Sequence, residues 1–342
     1  MPHYKLAFLG FGNVGKALAE LLLRKREDIQ KTVGVTFSVT GIATGSHGIA
    51  IDPQGLDLTQ ALELVKAGRS LQSIHGLPAE INNSPDFIHH CGAEVLFETT
   101  PVNYASGHPA IDYIQAALGA GMHVTTANKG PVVHAYQDLT QLARANGLKF
   151  YYESAVLDGA PVFGLLRETL PAAQIIAFRG VLNSTTNLIL SRMENGESFA
   201  EAVKYAQSIG IAETDPSGDV DGWDAAIKIS ALATVWMGVP TKPQDVDRTG
   251  IGGISAADIA RARAEGKRWK LVCEARWVGD RLQASVSPQM VGIDSPLYGV
   301  EGTTSIVEIE SDVLGKLSLI EEDPGPHTTA YGLLADFLNA VR

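Results

Sequence analysis

Five carboxylates, Glu213, Asp215, Asp219, Asp221 and Asp224, stand close together in the chain, and one lysine, Lys228, follows them. From Ala225 to Met237 nearly every position except Lys228 is apolar or small, the pattern of a helix buried on all sides. A lone ammonium in such a helix must be paired or neutralised, because burying an unpaired charge is expensive. Asp224 stands four residues earlier on the same helical face and is its natural partner. Asp221 is expected to cap this helix, with acids gathered at the positive end of its dipole. Two uses are open to such a pair. It is either a structural tie at a helix start or a lysine tuned by its neighbours for proton transfer. The rest of the chain favours the second.

A proton donor needs a reaction to serve, and the first residues point to one. The apolar run Lys5–Leu9 ends in Gly10-Phe11-Gly12-Asn13-Val14-Gly15, and an amphipathic segment, KALAELLLRKRE, follows at once. Glycines at the first, third and sixth positions between strand and helix form the dinucleotide fingerprint: tight turn, backbone approach to the pyrophosphate, helix packing. Gly10, Gly12, Asn13, Val14 and Gly15 are therefore expected to hold NAD or NADP at the helix N-terminus. A second strand at Thr36–Ile42 is followed by Ala43-Thr44-Gly45-Ser46-His47. It ends in neither the acid that would hold a ribose 2′-hydroxyl nor the arginine that would hold a 2′-phosphate. Both cofactors stay open, with Ser46 and His47 as candidate phosphate contacts.

Strands at 94–98 and 122–126 end in Thr99-Thr100 and in Ala127-Asn128-Lys129. Ligands of open α/β sheets lie outside the carboxyl ends of the strands, so Thr99, Thr100 and Lys129 are expected to face the cofactor. With helices at 58–67, 108–120 and 136–145, residues 1–150 read as an α/β Rossmann domain with a doubly wound, mainly parallel sheet. After a strand at 148–153 comes a turn, Glu153–Pro161, before a helix near Val162. Splayed carbonyls beside a carboxylate suit a hard cation, and a plain strand-to-helix loop reads equally. Helices are expected at about 185–195 and 199–209, with strands at 175–184, 268–276, 281–288 and 305–310. This is an α+β domain over 151–315. Residues 316–342 close the chain with a helix at 330–341, expected to pack back on the cofactor domain.

Composition narrows the class. The 342 residues carry a formal charge of −11 with no Lys/Arg cluster, which argues against nucleic acid. No apolar run approaches the ~20 residues a membrane span needs. The opening MPHYKLAFLGFG lacks the signature of a secretion signal. Cys91 and Cys273 are too few for a disulfide framework or zinc site, and a cytoplasmic protein is expected.

Four separated motifs, GFGNVG, FETTPVNY, VTTANKGPV and GIAETDPSGDVDGWDAAIK, coincide in one family. The chain resembles homoserine dehydrogenase over essentially its whole length. The resemblance implies NAD(P)-dependent interconversion of aspartate 4-semialdehyde and homoserine, on the route to threonine and methionine. It also implies a Rossmann domain, an α+β domain that carries catalysis and dimerisation, and hence a homodimer. It makes Lys228 the proton donor, with Asp224 beside it and Lys129 near the reacting carbonyl. Glu213 and Asp219 would hold the substrate amino group, and Thr185 falls near a substrate contact. Gly325 would touch the cofactor, and Glu153, Val156, Asp158 and Ala160 match a loop for Na+ or K+. With the chain ending at Arg342, no ACT-type regulatory domain is expected. Two alternatives stand beside this reading. Another semialdehyde dehydrogenase that forms an acyl phosphate would need an activated thiolate, for which Cys91 and Cys273 are poorly placed. A non-catalytic NAD(P)-sensing protein would not need Lys228, Asp224 and Lys129 together.

Overall fold

The computed structural model describes residues 1–79 and 81–342. The chain divides into two units, 1–161 with 325–342, and 162–324.

In the first unit, β1 (His3–Leu9) runs into α1 (Asn13–Thr32), then β2 (Thr36–Ala43), β3 (Ile49–Ile51), α2 (Leu58–Lys66), α3 (Ser84–His90) and β4 (Val95–Glu98). There follow α4 (Ala110–Gly119), β5 (His123–Thr126), α5 (Lys129–His134), α6 (Tyr136–Ala145) and β6 (Phe150–Tyr151). The sheet order is β3-β2-β1-β4-β5-β6. All pairings are parallel except the β2–β3 hairpin. The order reverses direction between β1 and β4, which opens a crevice at their carboxyl ends. The strands are buried on both faces, as a parallel sheet requires: Leu6, Ala7, Phe8, Val95, Leu96 and Phe97 are fully covered. Lys129, expected in a loop, instead starts α5, because Asn128 caps that helix through Oδ1 and the Gly130 N–H at 3.0 Å.

The second unit opens with a short helical turn, α7 (Val162–Gly164), then β7 (Ile175–Val181), α8 (Ser184–Glu194), α9 (Phe199–Ser208), α10 (Ser217–Val220) and α11 (Trp223–Trp236). It continues through β8 (Asp247–Arg248), α12 (Ala256–Ala264), β9 (Lys267–Val278), β10 (Arg281–Gly292), β11 (Ser305–Ser311) and β12 (Gly315–Glu321). Its sheet order is β12-β11-β7-β9-β10-β8, antiparallel except for β8 on β10. Helix α11 is buried along most of its length, as its composition demands, and Phe178 of β7 packs edge-on against Trp236 at 5.2 Å. Asp221 does not cap it. Asp221 closes α10, its N–H reaching Ser217 O at 3.0 Å. Gly222 stands at the cap position with φ +83°. The corner between the two helices needs a left-handed residue, which glycine supplies without steric cost.

The chain ends in α13 (Pro326–Ala340), whose Leu333, Leu334 and Phe337 sit in the core of the first unit with β1 and α1. The unit boundaries fall later than 150 and 315 for physical reasons. The turn after β6 is tied to α13 by Glu153 N–H to Asp336 Oδ2 and Ser154 Oγ to Thr329 O, both at 2.7 Å. Strand β12 pairs along its whole length with β11. No helix among the described residues is long and apolar enough to cross a membrane.

Candidate active site

The glycine turn of the first unit has the shape its sequence requires. Gly10 has φ +101°, and a Cβ there would lie 2.6 Å from Thr99 O. A Cβ on Gly15 would lie 2.7 Å from Gly10 O, whereas one on Gly12 would meet nothing within 4 Å. The first and last glycines are thus demanded by the protein's own packing, and the middle one leaves backbone bare. Helix α1 begins at Gly12 without a side-chain cap and without an acid in its first turn. The N–H groups of Asn13, Val14 and Gly15 therefore remain for an anion. This cradle fits a dinucleotide pyrophosphate. Thr99 braces it, donating from N to Leu9 O at 2.9 Å and from Oγ1 to Gly10 O at 3.1 Å. Thr100 donates instead to Glu98, a fully buried carboxylate at the end of β4.

The second unit holds the lysine. Lys228 Nζ donates to Leu182 O at 2.6 Å and lies 3.3 Å from Asp224 Oδ2. Both side chains are 14% exposed, so the pair is largely but not wholly withdrawn from water. Asn183, the buried cap of α8, ties the cluster together. Its Nδ2 donates to Asp219 Oδ1 at 2.6 Å and to Asp224 Oδ2 at 3.0 Å, while its Oδ1 accepts from Thr186 N–H at 2.8 Å. Burial raises the Asp219 carboxyl above its ordinary range, and the charge of Asp224 adds to this. Asn183, Thr185 and Lys228 pull the other way. Behind them Cys273 is buried, its thiol pushed up to about 12 by burial. Cys91 is likewise buried and raised. Neither offers a thiolate nucleophile at neutral pH.

Two family models match the chain, one described as homoserine dehydrogenase over residues 161–338 and one as homoserine dehydrogenase, NAD binding domain, over residues 10–153. The chain belongs to the homoserine dehydrogenase family. It is 35% identical to the NAD(+)-dependent homoserine dehydrogenase of Pseudomonas canavaninivorans, across 99% of this chain and 96% of that one. It is 36% identical to the homoserine dehydrogenase of Methanocaldococcus jannaschii, across 98% and 97%. A crystal structure of a homoserine dehydrogenase from Thiobacillus denitrificans matches with a TM-score of 0.84 at 27% identity, covering 99% of this chain and 73% of that one. As a member of the homoserine dehydrogenase family, the chain is an NAD(P)-dependent oxidoreductase acting on a CH–OH group.

Within this homoserine dehydrogenase fold the other expected site residues divide. Thr185 is buried beside the cluster and donates to Ile211 O at 3.2 Å. Glu213 is exposed, and its carboxylate makes no hydrogen bond or ion pair among the described residues; only its carbonyl is used, by Gln207 at 3.1 Å. Gly325 opens α13, its N–H donating to Thr328 Oγ1 at 2.9 Å. The expected metal loop gains no support. Among the described residues no group of three or more His, Cys, Asp or Glu is arranged to hold a metal ion. Asp158 accepts from Thr329 Oγ1 at 2.9 Å, which ties this turn to α13. Sequence reasoning missed Asn183 and Glu98. Asn183 carried a signal, standing immediately before Ser184-Thr185-Thr186 at a helix start; a single Glu ending an apolar strand carried none.

Proposed function

We propose that the protein interconverts L-homoserine and L-aspartate 4-semialdehyde, with Lys228 as the proton donor in the reducing direction. The observation that carries this is the fixed ammonium. Of the three N–H donors on Lys228, one is directed to Leu182 O and one to Asp224. The third serves the oxygen of the reacting carbonyl. A bound nicotinamide supplies or accepts the hydride. As the carbonyl oxygen gains charge, the Lys228 ammonium stabilises it and gives up its proton, and the reverse reaction returns that proton. Asp224 holds the ammonium in place. Asp219 on α10, with Glu213 in the loop just before that helix, takes the cationic amino group of the substrate. Lys129 and Thr100 serve the cofactor side.

NAD+ is the first cofactor in this reading, supported by the name of the Pseudomonas relative. The turn after β2 carries no carboxylate to repel a 2′-phosphate, so NADP+ is accepted as well. The protein is read as a cytoplasmic homodimer without a nucleic-acid or membrane partner, in keeping with its charge of −11. The test is oxidation of L-homoserine with each cofactor, followed at the absorbance of the reduced nicotinamide, for wild type and Lys228→Ala. Turnover by wild type that is nearly lost in the variant is expected. A silent wild type refutes the function, and an unimpaired variant refutes the assignment of the donor.

A further inference from the structure

We infer that Glu98 is a positioning residue of the cofactor crevice, whose carboxylate sets the places of Thr100 and Lys129 together. The inference rests on the function proposed above. Glu98 ends β4, in register with Leu9 of β1 and Thr126 of β5, and is fully buried. Its Oε1 accepts from both N–H and Oγ1 of Thr100, at 2.8 and 2.5 Å, and its Oε2 accepts from Thr126 Oγ1 at 2.5 Å. Thr126 Oγ1 in turn accepts from Asn128 N–H at 2.9 Å, so its single hydrogen points at Glu98. Asn128 donates from Nδ2 to Thr100 O at 3.2 Å and caps α5, the helix that Lys129 begins. One carboxylate thus joins the loop after β4 to the loop after β5. Both loops lie at carboxyl ends of the parallel sheet.

The choice of a carboxylate here is informative. No cation pairs with Glu98 among its hydrogen-bond partners, and burial raises its carboxyl above the ordinary range against the pull of Thr100, Thr126 and Asn128. A buried carboxyl group with no cation beside it is a poor way to gain stability. A carboxylate is nevertheless the side chain that accepts on both oxygens at once. A glutamine would still accept from Thr100, but would turn an NH2 toward Thr126 and leave that hydroxyl hydrogen without an acceptor. The cost in stability is therefore explained by geometry held for cofactor and substrate.

Glu98→Gln tests this in the full-length protein. Expected are a melting temperature no lower than wild type, a kcat for homoserine oxidation lower by about tenfold and NADH binding weaker by about fivefold, since small misplacements at a reacting centre are costly. The KM for homoserine stays within about twofold, because the cluster around Asp219 is untouched. The deuterium isotope effect on kcat with homoserine labelled at the hydroxymethyl carbon rises, which loss of stability alone would not cause. Losses in Glu98→Gln and Thr126→Val fail to add in the double variant, since they break one shared bond. A kcat and NADH affinity equal to wild type overturn the inference, as does a lower melting temperature with an unchanged isotope effect. Should wild type oxidise no homoserine, the proposed function fails by itself. NADH titration then still decides Glu98, weaker binding in the variant supporting the inference and equal binding overturning it.

Discussion

Two lysines of the second unit are drawn out of water, and their surroundings differ in two respects. Lys228 on α11 keeps 14% of its side chain exposed and has a carboxylate, Asp224, at 3.3 Å. Lys270 on β9 is fully buried and donates only to neutral oxygens, Asn187 Oδ1 at 2.9 Å and Val300 O at 2.5 Å. Burial lowers Lys270 to about 8, with the nearby charge of Arg268 adding to the effect and Glu194 and Glu301 opposing it. One lysine is held as an accessible ammonium beside an anion. The other fastens α8 and the segment before β11 to the sheet. Burial alone does not mark a reactive amine; the proposed proton donor is the lysine that has a carboxylate beside it and keeps part of its side chain exposed.

The largest expected difference between them is catalytic. Lys228→Ala lowers kcat for homoserine oxidation by roughly a thousandfold, the range of a lost general acid–base group. Lys270→Met changes kcat by no more than a few fold, and steady-state rates on the two variants compare them directly. The second contrast is in pH dependence of stability. Between the folded value of Lys270 near 8 and its ordinary 10.5, the unfolded chain binds more protons than the folded one. Stability therefore rises with pH across that window, by about 3 kcal/mol from this group. Denaturant titrations at pH 7.5 and 10.5 show this rise in wild type and lose it in Lys270→Met.

The acids around Lys228 sharpen the comparison at smaller scale. Asp219 has its carboxyl raised by burial and by Asp224. The folded state thus retains a proton that the unfolded chain has released, and stability falls as pH climbs above the ordinary carboxylate range. Asp219→Asn is expected to melt higher than wild type at pH 7 while its KM for homoserine rises about tenfold, the loss of a charge-assisted hydrogen bond. The smallest effect belongs to Glu213, which is exposed. Glu213→Gln raises that KM by about threefold, as befits an ion pair open to solvent.

Much of this site was legible in the residues. The glycine spacing at Gly10, Gly12 and Gly15 marked the cradle because its requirements are local: one turn, one helix start. Asp224 and Lys228 were paired on the page because four residues is one helical turn. The misplaced details were also local, but decided by competition. Asp221 was expected to cap α11 and instead closes α10, since the corner needed the left-handed glycine beside it. The loop Glu153–Ala160 was read for a cation; what the structure adds is its tie to α13, far along the chain, through Glu153 N–H, Ser154 Oγ and Asp158 Oδ1.

By itself, then, the order of residues determined the family, the two-unit plan and the helical pairing of Asp224 with Lys228, all of which depend on neighbours within a turn or on motifs read whole. Only the tertiary structure decided that Leu182 O would hold the lysine and that Asn183 would join Asp219 to Asp224. It likewise decided that Glu98 would meet Thr126. Those contacts follow from how strands align in a sheet and how helices settle on it. That alignment is set by the packing of the whole core, and no short stretch of chain contains it.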